Sequence, residues 1–263
     1  MRSPPKGRSL VVPTPRPSAA CRLVCFPCAG AGPALFRPLS RQLPEHIELV
    51  AACLPGRESR VREAPATHLL RLASEITLEL SRLAAGRPYL IFGHSMGAMI
   101  AYEVCRWLQL SGIAPLPGAL TISASISPDL PRDTEVIGQS DERLTERLAS
   151  LGGIDPEVAA DPALMKLVLP VTRADLEMVE VYQPRLGPPL ELELVTVRGS
   201  SDHVATAGQM AGWPRIARAA VQHVRPGGHF YLLEPANRAW LVELFTAQAA
   251  RAGAHLAGSG TAA

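Results

Sequence analysis

The chain has 263 residues, of which 47% are hydrophobic and 19% charged, enough apolar material for one large core. Its 26 basic and 24 acidic residues leave a formal net charge of +2, so no strong electrostatic field points to a nucleic-acid partner. No apolar run approaches the length of a transmembrane helix and the N-terminus lacks the apolar segment of a signal peptide, so we expect a cytoplasmic protein with no membrane partner.

The two ends of the chain have compositions that differ from the rest. Residues 1–20 are rich in proline with scattered basic side chains, which cannot bury an apolar face, and we expect a disordered tail there. Residues 251–263 are mostly alanine and glycine and are predicted to form a flexible C-terminal tail. The folded domain is therefore predicted to cover residues 21–250.

Between these tails, apolar runs alternate with amphipathic segments. Strands are predicted at residues 22–26, 47–53, 89–92, 119–124, 191–197 and 219–224. Helices with a buried stripe are predicted at residues 67–85, 98–110 and 235–250. Strands that alternate with helices favour an α/β fold with a mostly parallel sheet and helices on both faces.

The alternation stops between residues 125 and about 183, where proline-punctuated amphipathic helices replace it. A helical block inserted between two strands of a parallel sheet is most simply a lid over the carboxyl edge of that sheet. Apolar positions within residues 164–181 exceed what one core-facing stripe requires. Two interpretations stay open: a hydrophobic chamber for an acyl chain, or packing of the lid helices on one another.

A tight turn follows the predicted strand at residues 89–92, in the sequence Gly93-His94-Ser95-Met96-Gly97. The pattern G-x-S-x-G between a strand and a helix places the central serine on a strained corner, with its hydroxyl exposed at the carboxyl edge of the sheet. We therefore predict Ser95 as a nucleophile. The N–H of Met96, in the first turn of the following helix, is predicted to stabilise an oxyanion.

A glycine-rich turn at residues 27–32 leaves the first predicted strand and can present backbone N–H groups to an anion. It lacks the lysine and the spacing of a nucleotide-binding loop. Around a G-x-S-x-G corner, the second oxyanion donor comes from the loop after an early strand, so we predict the N–H of Ala29, with Cys28 as the alternative.

A serine hydroxyl needs an imidazole to accept its proton and a carboxylate to orient that imidazole. Asp202 follows the strand at 191–197 and His229 lies in a glycine turn after the next strand. The order Ser95, Asp202, His229 is that of the catalytic triad in α/β-hydrolases. His203 is a rival imidazole, and Asp129, after an earlier strand, is the alternative acid.

Five cysteines form an odd set without an export signal, which favours free thiols. Cys21, Cys25 and Cys28 have a spacing that also occurs in iron–sulfur sites, but Cys25 lies inside a predicted buried strand. We therefore favour buried structural thiols and predict no cofactor. Paired histidine motifs are missing from the sequence, so no metal site is predicted either.

Beyond the triad, the chain resembles the type II thioesterases of polyketide and nonribosomal peptide synthesis over nearly all of residues 21–250. The resemblance is carried by the segments Phe26-Pro27-Cys28-Ala29-Gly30-Ala31-Gly32, Leu54-Pro55-Gly56-Arg57-Glu58-Ser59-Arg60, Gly93-His94-Ser95-Met96-Gly97-Ala98, Arg173-Ala174-Asp175-Leu176 with Val181-Tyr182, Gly199-Ser200-Ser201-Asp202 and Gly228-His229-Phe230-Tyr231-Leu232. It implies an α/β-hydrolase fold and a stand-alone hydrolase that removes stalled or wrongly loaded acyl groups from the phosphopantetheine arm of acyl or peptidyl carrier proteins.

The chain departs from this family at two places. Ala29-Gly30-Ala31 stands where the family usually has Ala-Gly-Gly, and residues 123–128 replace a usual Ser-Gly-Arg segment. These changes affect the oxyanion loop and the start of the lid, and therefore the expected substrate size more than the chemistry.

Two other functions fit the same pattern: a carboxylesterase that acts on small free esters, and a catalytically silent acyl-binding module. We expect a monomer. Arg57, Arg60 and Arg62 could contact the acidic surface of a carrier protein, although charged loop residues are more often only solvated.

Overall fold

The computed structural model describes residues 7–84, 86–130, 136–184 and 187–259. Its strands are β1 (Leu10–Val11), β2 (Cys21–Phe26), β3 (Ile47–Ala52), β4 (Tyr89–His94), β5 (Ala119–Ser123), β6 (Leu190–Gly199) and β7 (Ala217–Arg225). They form one seven-stranded sheet in the order β1-β3-β2-β4-β5-β6-β7. All neighbours pair in parallel except β1, which is antiparallel to β3. The predicted α/β fold with a mostly parallel sheet is confirmed.

The helices follow the predicted alternation and add several short elements. They are α1 (Arg37–Gln42), α2 (Leu69–Leu83), α3 (Met96–Ser111), α4 (Asp141–Ser150), α5 (Pro156–Ala160), α6 (Pro162–Glu180), α7 (Ala207–Met210) and α8 (Pro235–Ser259). Within the described ranges, none of them is both long enough and apolar enough to cross a membrane.

The central strands are apolar because both faces of the sheet are covered. Every residue of β3, β4 and β5 is buried, as expected for parallel strands between two layers of helices. Phe92 of β4 makes edge-to-face contacts with Phe36 and Phe245, with ring centroids 6.1 and 5.4 Å away. This core holds the ends of the strands in fixed positions at the carboxyl edge.

The N-terminal segment is part of the folded unit, so the prediction of a disordered tail is wrong for residues 7–20. The N–H groups of Ser9 and Leu10 donate to the carboxylate of Glu79 on α2, at 2.9 and 3.1 Å. The guanidinium of Arg16 donates to the carbonyls of Leu43, Pro44 and Ile47. The prolines break the segment into short pieces, and distant polar partners fix each piece.

The C-terminal helix is also longer than predicted. Helix α8 continues to Ser259, and Ala252, inside the predicted flexible tail, is buried against the core. The backbone of residues 251–259 is therefore helical, and the predicted domain boundary at residue 250 is wrong. Residues 1–6 and 260–263, where the two tails were also predicted, lie outside the described part of the chain.

Helices α4, α5 and α6, here called the helical insertion, lie between β5 and β6. Leu144, Met165 and Leu169 of these helices form a small core of their own with Val136, which precedes α4. Met178 and Val179, near the end of α6, join the main core, whereas Leu167 is 74% exposed. Packing within the insertion and on the main core therefore accounts for much of its apolar content, and the acyl chamber stays a prediction.

Candidate active site

Ser95 lies on a strained corner between β4 and α3. Its backbone has φ 55° and ψ −119°, a region that costs free energy for any residue with a Cβ. A Cβ on Gly97 would lie 2.2 Å from the carbonyl oxygen of Phe26, so only glycine fits there. The N–H of Ser95 donates to the carbonyl of Ser123 at 2.8 Å, which ties the corner to β5.

The structure brings Ser95, Asp202 and His229 together. The Nε2 of His229 lies 3.1 Å from the Oγ of Ser95, and its Nδ1 lies 3.0 Å from the Oδ2 of Asp202. An ionised carboxylate only accepts hydrogen bonds, so Nδ1 carries the proton and Nε2 offers its lone pair to the serine hydroxyl. The arrangement can move a proton from serine to imidazole.

Asp202 is held as a carboxylate. Burial opposes its ionisation, but the hydrogen bond and the electrostatic attraction of His229 outweigh that cost, together with backbone N–H groups, so the pKa of Asp202 lies below its usual value. The other oxygen, Oδ1, accepts from the N–H groups of Val204 and Ala205 at 2.8 and 3.0 Å. Each carboxylate oxygen therefore has its own fixed partners.

The loops that carry Asp202 and His229 are bonded to each other and to α8. The N–H of Ser200 donates to the carbonyl of Arg225 at 2.7 Å. The buried side-chain amide of Asn237 donates to the carbonyls of Pro226 and Tyr231, at 2.8 and 2.9 Å, and so spans the turn that holds His229. Sequence reasoning missed Asn237, whose position in the first turn of a helix gave no sign of this role.

His94, which precedes the nucleophile in the sequence, lies fully buried directly behind the site. Its ring centroid is 5.3 Å from that of His229. Its Nδ1 lies 2.9 Å from the Oγ of Ser123, which in turn lies 2.8 Å from the hydroxyl of Tyr231. Its Nε2 has no hydrogen-bond partner among the described residues. Burial, followed by the electrostatic effect of the neighbouring His229 imidazole, lowers the pKa of His94 far below its usual value.

This buried imidazole predicts an acid-sensitive fold. In the unfolded chain a histidine binds a proton below about pH 6.5, whereas folded His94 does not, so the free energy of unfolding should fall as pH decreases from about 6.5. One proton corresponds to about 1.4 kcal/mol per pH unit. We expect His94→Gln to remove this part of the slope in denaturant unfolding between pH 5 and 8.

The control is His68→Gln, which removes an exposed imidazole at the start of α2. It should leave the pH dependence of unfolding as in the native protein. Equal slopes for the native protein and His94→Gln would contradict the assignment of His94 as a neutral buried group.

The two predicted oxyanion donors lie in neighbouring segments. Met96 is the first residue of α3, where N–H groups have no partner inside the helix. The contact of Gly97 with the Phe26 carbonyl brings the loop that contains Ala29 against this helix start. Cys28 precedes Ala29 in that loop, and burial raises the pKa of its thiol to about 12. The oxyanion role of Met96, Ala29 or Cys28 stays a prediction.

The alternative triad members lie elsewhere. Asp129 forms an ion pair with Arg215, with 2.5 Å between Nη2 and Oδ2. His203 has an exposed side chain. Neither residue contacts Ser95 or His229 in the hydrogen bonds of the described residues.

Neither possibility considered for Arg57 and Arg60, contact with a carrier protein or simple solvation, fits the structure. Both side chains are buried, Arg57 against Asp175 and Arg60 against Glu63. Only Arg62 of the three is exposed.

The cysteines are free and buried. Cys21 and Cys25 lie four residues apart along β2, which separates them by about 13 Å, too far for one iron–sulfur cluster. The described residues contain no group of side chains that could hold a metal ion.

The helical insertion lies against the active-site loops. A Cβ on Gly153, between α4 and α5, would be 2.8 Å from the ring of Phe230, and that ring is 5.2 Å from the ring of His229. A Cβ on Gly56, after β3, would be 3.4 Å from Val171 on α6. The insertion therefore borders the carboxyl edge at which Ser95 lies.

The sequence matches the family model of the thioesterase domain over residues 21–248. Among curated proteins, the gramicidin S biosynthesis protein GrsT of Aneurinibacillus migulanus is 32% identical over 222 residues, which cover 82% of this chain and 85% of GrsT. The medium-chain S-acyl fatty acid synthase thioesterase of Homo sapiens is 31% identical over 230 residues, covering 84% of each chain.

Among solved structures, RedJ, a thioesterase from the prodiginine biosynthetic pathway of Streptomyces coelicolor, superposes with a TM-score of 0.82 at 34% sequence identity. The match covers 94% of this chain and 96% of RedJ. The likeness therefore includes the helical insertion as well as the sheet.

Proposed function

Because the chain belongs to the thioesterase family, we propose that it is a stand-alone enzyme that hydrolyses stalled or aberrant acyl thioesters on the phosphopantetheine arm of carrier proteins in polyketide or nonribosomal peptide synthesis. The observation that carries the proposal is the chain of short contacts from Ser95 through His229 to Asp202. The biosynthetic relatives GrsT and RedJ support the choice of pathway.

In the first step, Ser95 Oγ attacks the thioester carbonyl while its proton passes to Nε2 of His229. The N–H groups of Met96 and Ala29 stabilise the negative charge that develops on the carbonyl oxygen. The carbon–sulfur bond then breaks and the imidazolium returns its proton to the departing thiolate. The carrier leaves as a free thiol, and the acyl group stays on Ser95 as an ester.

In the second step, water enters and His229 takes one of its protons, so that hydroxide attacks the ester. The bond between Oγ and the acyl carbon breaks, the proton returns to Oγ, and the carboxylic acid is released. Asp202 keeps the imidazole in the required tautomer and stabilises its charged form. The helical insertion acts as the lid over this reaction.

We also propose that the protein acts as a monomer in the cytoplasm. One chain supplies all three triad residues, so no second copy is needed to complete the site. All five cysteines are free thiols, as is usual in a reducing compartment.

The test compares three substrates with the same acyl group: a thioester on the phosphopantetheine arm of an acyl carrier protein, a thioester of a small thiol, and a nitrophenyl ester. Mass spectrometry of the carrier protein follows loss of the acyl group, and absorbance follows nitrophenol. We expect kcat/KM to be highest for the carrier-bound thioester.

Two results would overturn the proposal. Turnover of the nitrophenyl ester with an untouched acyl carrier protein would identify a carboxylesterase. Failure of a fluorophosphonate to label Ser95 in the folded protein would identify an acyl-binding module without catalysis.

A further inference from the structure

A buried ion pair joins the helical insertion to the loop after β3. The guanidinium of Arg57 binds the carboxylate of Asp175 on α6 with both nitrogens, Nη1 to Oδ2 at 2.5 Å and Nη2 to Oδ1 at 2.7 Å. Asp175 is 0% exposed and Arg57 is 6% exposed. The catalytic steps described above use neither residue.

The same carboxylate also holds the loop that contains Ala29. Oδ2 of Asp175 accepts the N–H of Gly30 at 2.8 Å, and Arg57 donates to the carbonyl of Ala31 at 3.1 Å. The residues that directly follow the predicted oxyanion donor are therefore fixed by the ion pair, one by each partner.

Helix α6 leaves this loop no room to shift. Gly30 has φ +76°, and a Cβ on it would lie 2.2 Å from Oγ1 of Thr172, one turn before Asp175. Close packing and a hydrogen bond from the same helix thus act on one residue of the loop.

A buried ion pair is a poor way to gain stability, because an apolar pair of similar size often stabilises a protein as well or better. Its advantage is that hydrogen bonds fix direction: one carboxylate accepts hydrogen bonds from three N–H groups in two loops. A buried negative charge beside a developing oxyanion would oppose catalysis, and Arg57 neutralises it. Geometry and charge both fit a role in placing the oxyanion donor.

We propose that Asp175, which lies on the helical insertion and is neutralised by Arg57, is a positioning residue. It holds the oxyanion loop (residues 28–31) in its catalytic geometry. This inference rests on the proposed function. Because Asp175 lies on α6, the rate of catalysis would then depend on the position of that helix relative to the oxyanion loop.

The test is the double variant Arg57→Met with Asp175→Leu, which removes both charges and leaves neither buried alone. With the acyl-carrier thioester that the native protein hydrolyses, kcat should fall about 10- to 100-fold with KM nearly unchanged, since a misplaced donor loses part of the effect of a deleted one. The affinity for an alkyl trifluoromethyl ketone, whose Ser95 adduct carries an oxyanion, should fall by a similar factor.

The matched control is Arg22→Met with Glu48→Leu, which removes a part-buried ion pair of 3.1 Å between β2 and β3, away from the carboxyl edge. Its kcat and its affinity for the ketone should equal those of the native protein. A purely structural role for the Arg57–Asp175 pair would lower the unfolding midpoint without changing either quantity.

Native kcat and ketone affinity in a folded Arg57→Met, Asp175→Leu protein would overturn the inference. If that protein does not fold, Asp175→Asn decides: with its carbonyl oxygen in the place of Oδ2, which accepts from both Arg57 and Gly30, its NH2 group must face Nη2 of Arg57, a donor against a donor. The two-point pairing and the negative charge are then lost, so kcat should fall, and an unchanged kcat would overturn the inference. A native protein that leaves the acyl carrier untouched would instead refute the proposed function.

Discussion

Replacing Ser95 with alanine is expected to lower the turnover of acyl-carrier thioesters by a factor on the order of 10⁴ to 10⁶, because no acyl-enzyme can form. The residual rate would come from binding and the oxyanion donors alone. Mass spectrometry of the acyl carrier protein measures the loss directly. Alanine has the same backbone demands as serine at φ 55°, so the unfolding midpoint should change little.

Ser111→Ala is the matched control, since Ser111 is an exposed serine at the other end of α3. It should hydrolyse the substrate at the native rate. An active Ser95→Ala protein, or a fluorophosphonate adduct on another residue, would show that the nucleophile has been misassigned.

The variant Asp202→Asn should lose about 10⁴-fold in kcat while the site keeps its geometry. The N–H groups of Val204 and Ala205 both point at Oδ1, so that position must remain an oxygen in the amide. The NH2 group must then face Nδ1 of His229, in place of Oδ2. Nδ1 becomes an acceptor, Nε2 carries the proton, and the imidazole can no longer take one from Ser95.

The control is Asp129→Asn, which alters the alternative acid after β5. Its carboxylate pairs with Arg215 instead of a histidine, so kcat should stay near the native value. Labelling of Ser95 by a fluorophosphonate should slow in Asp202→Asn and not in Asp129→Asn. The reverse pattern would move the acid of the triad to residue 129.

The centre of the sheet could be predicted from the sequence because strands β3, β4 and β5 are buried on both faces. Such strands are continuous apolar runs that end at glycine, proline or polar residues, as at residues 26–30 and 93–97. The carboxyl ends of parallel strands meet at one edge, so the order of Ser95, Asp202 and His229 was enough to expect them close together. The measured distances agree with that expectation.

Features that depend on distant partners could not be predicted in this way. In the sequence, Arg57 looks like a solvated loop residue. The carboxylate with which it pairs in the interior belongs to Asp175, 118 positions further along the chain. The apolar excess of the helical insertion also has no unique interpretation from spacing alone. Its residues divide between a small separate core and the main core, a division that only tertiary packing decides.

The strand pairing of residues 10 and 11 determines where the folded unit begins. Leu10 pairs with Ala52 and Val11 with Ala51, which covers the outer side of β3. The family match starts at residue 21, but a chain trimmed to that point would make β3 the border of the sheet. Its unpaired N–H and C=O groups would then offer a template for another polypeptide, so self-association is the hazard of shortening this enzyme at its family boundary.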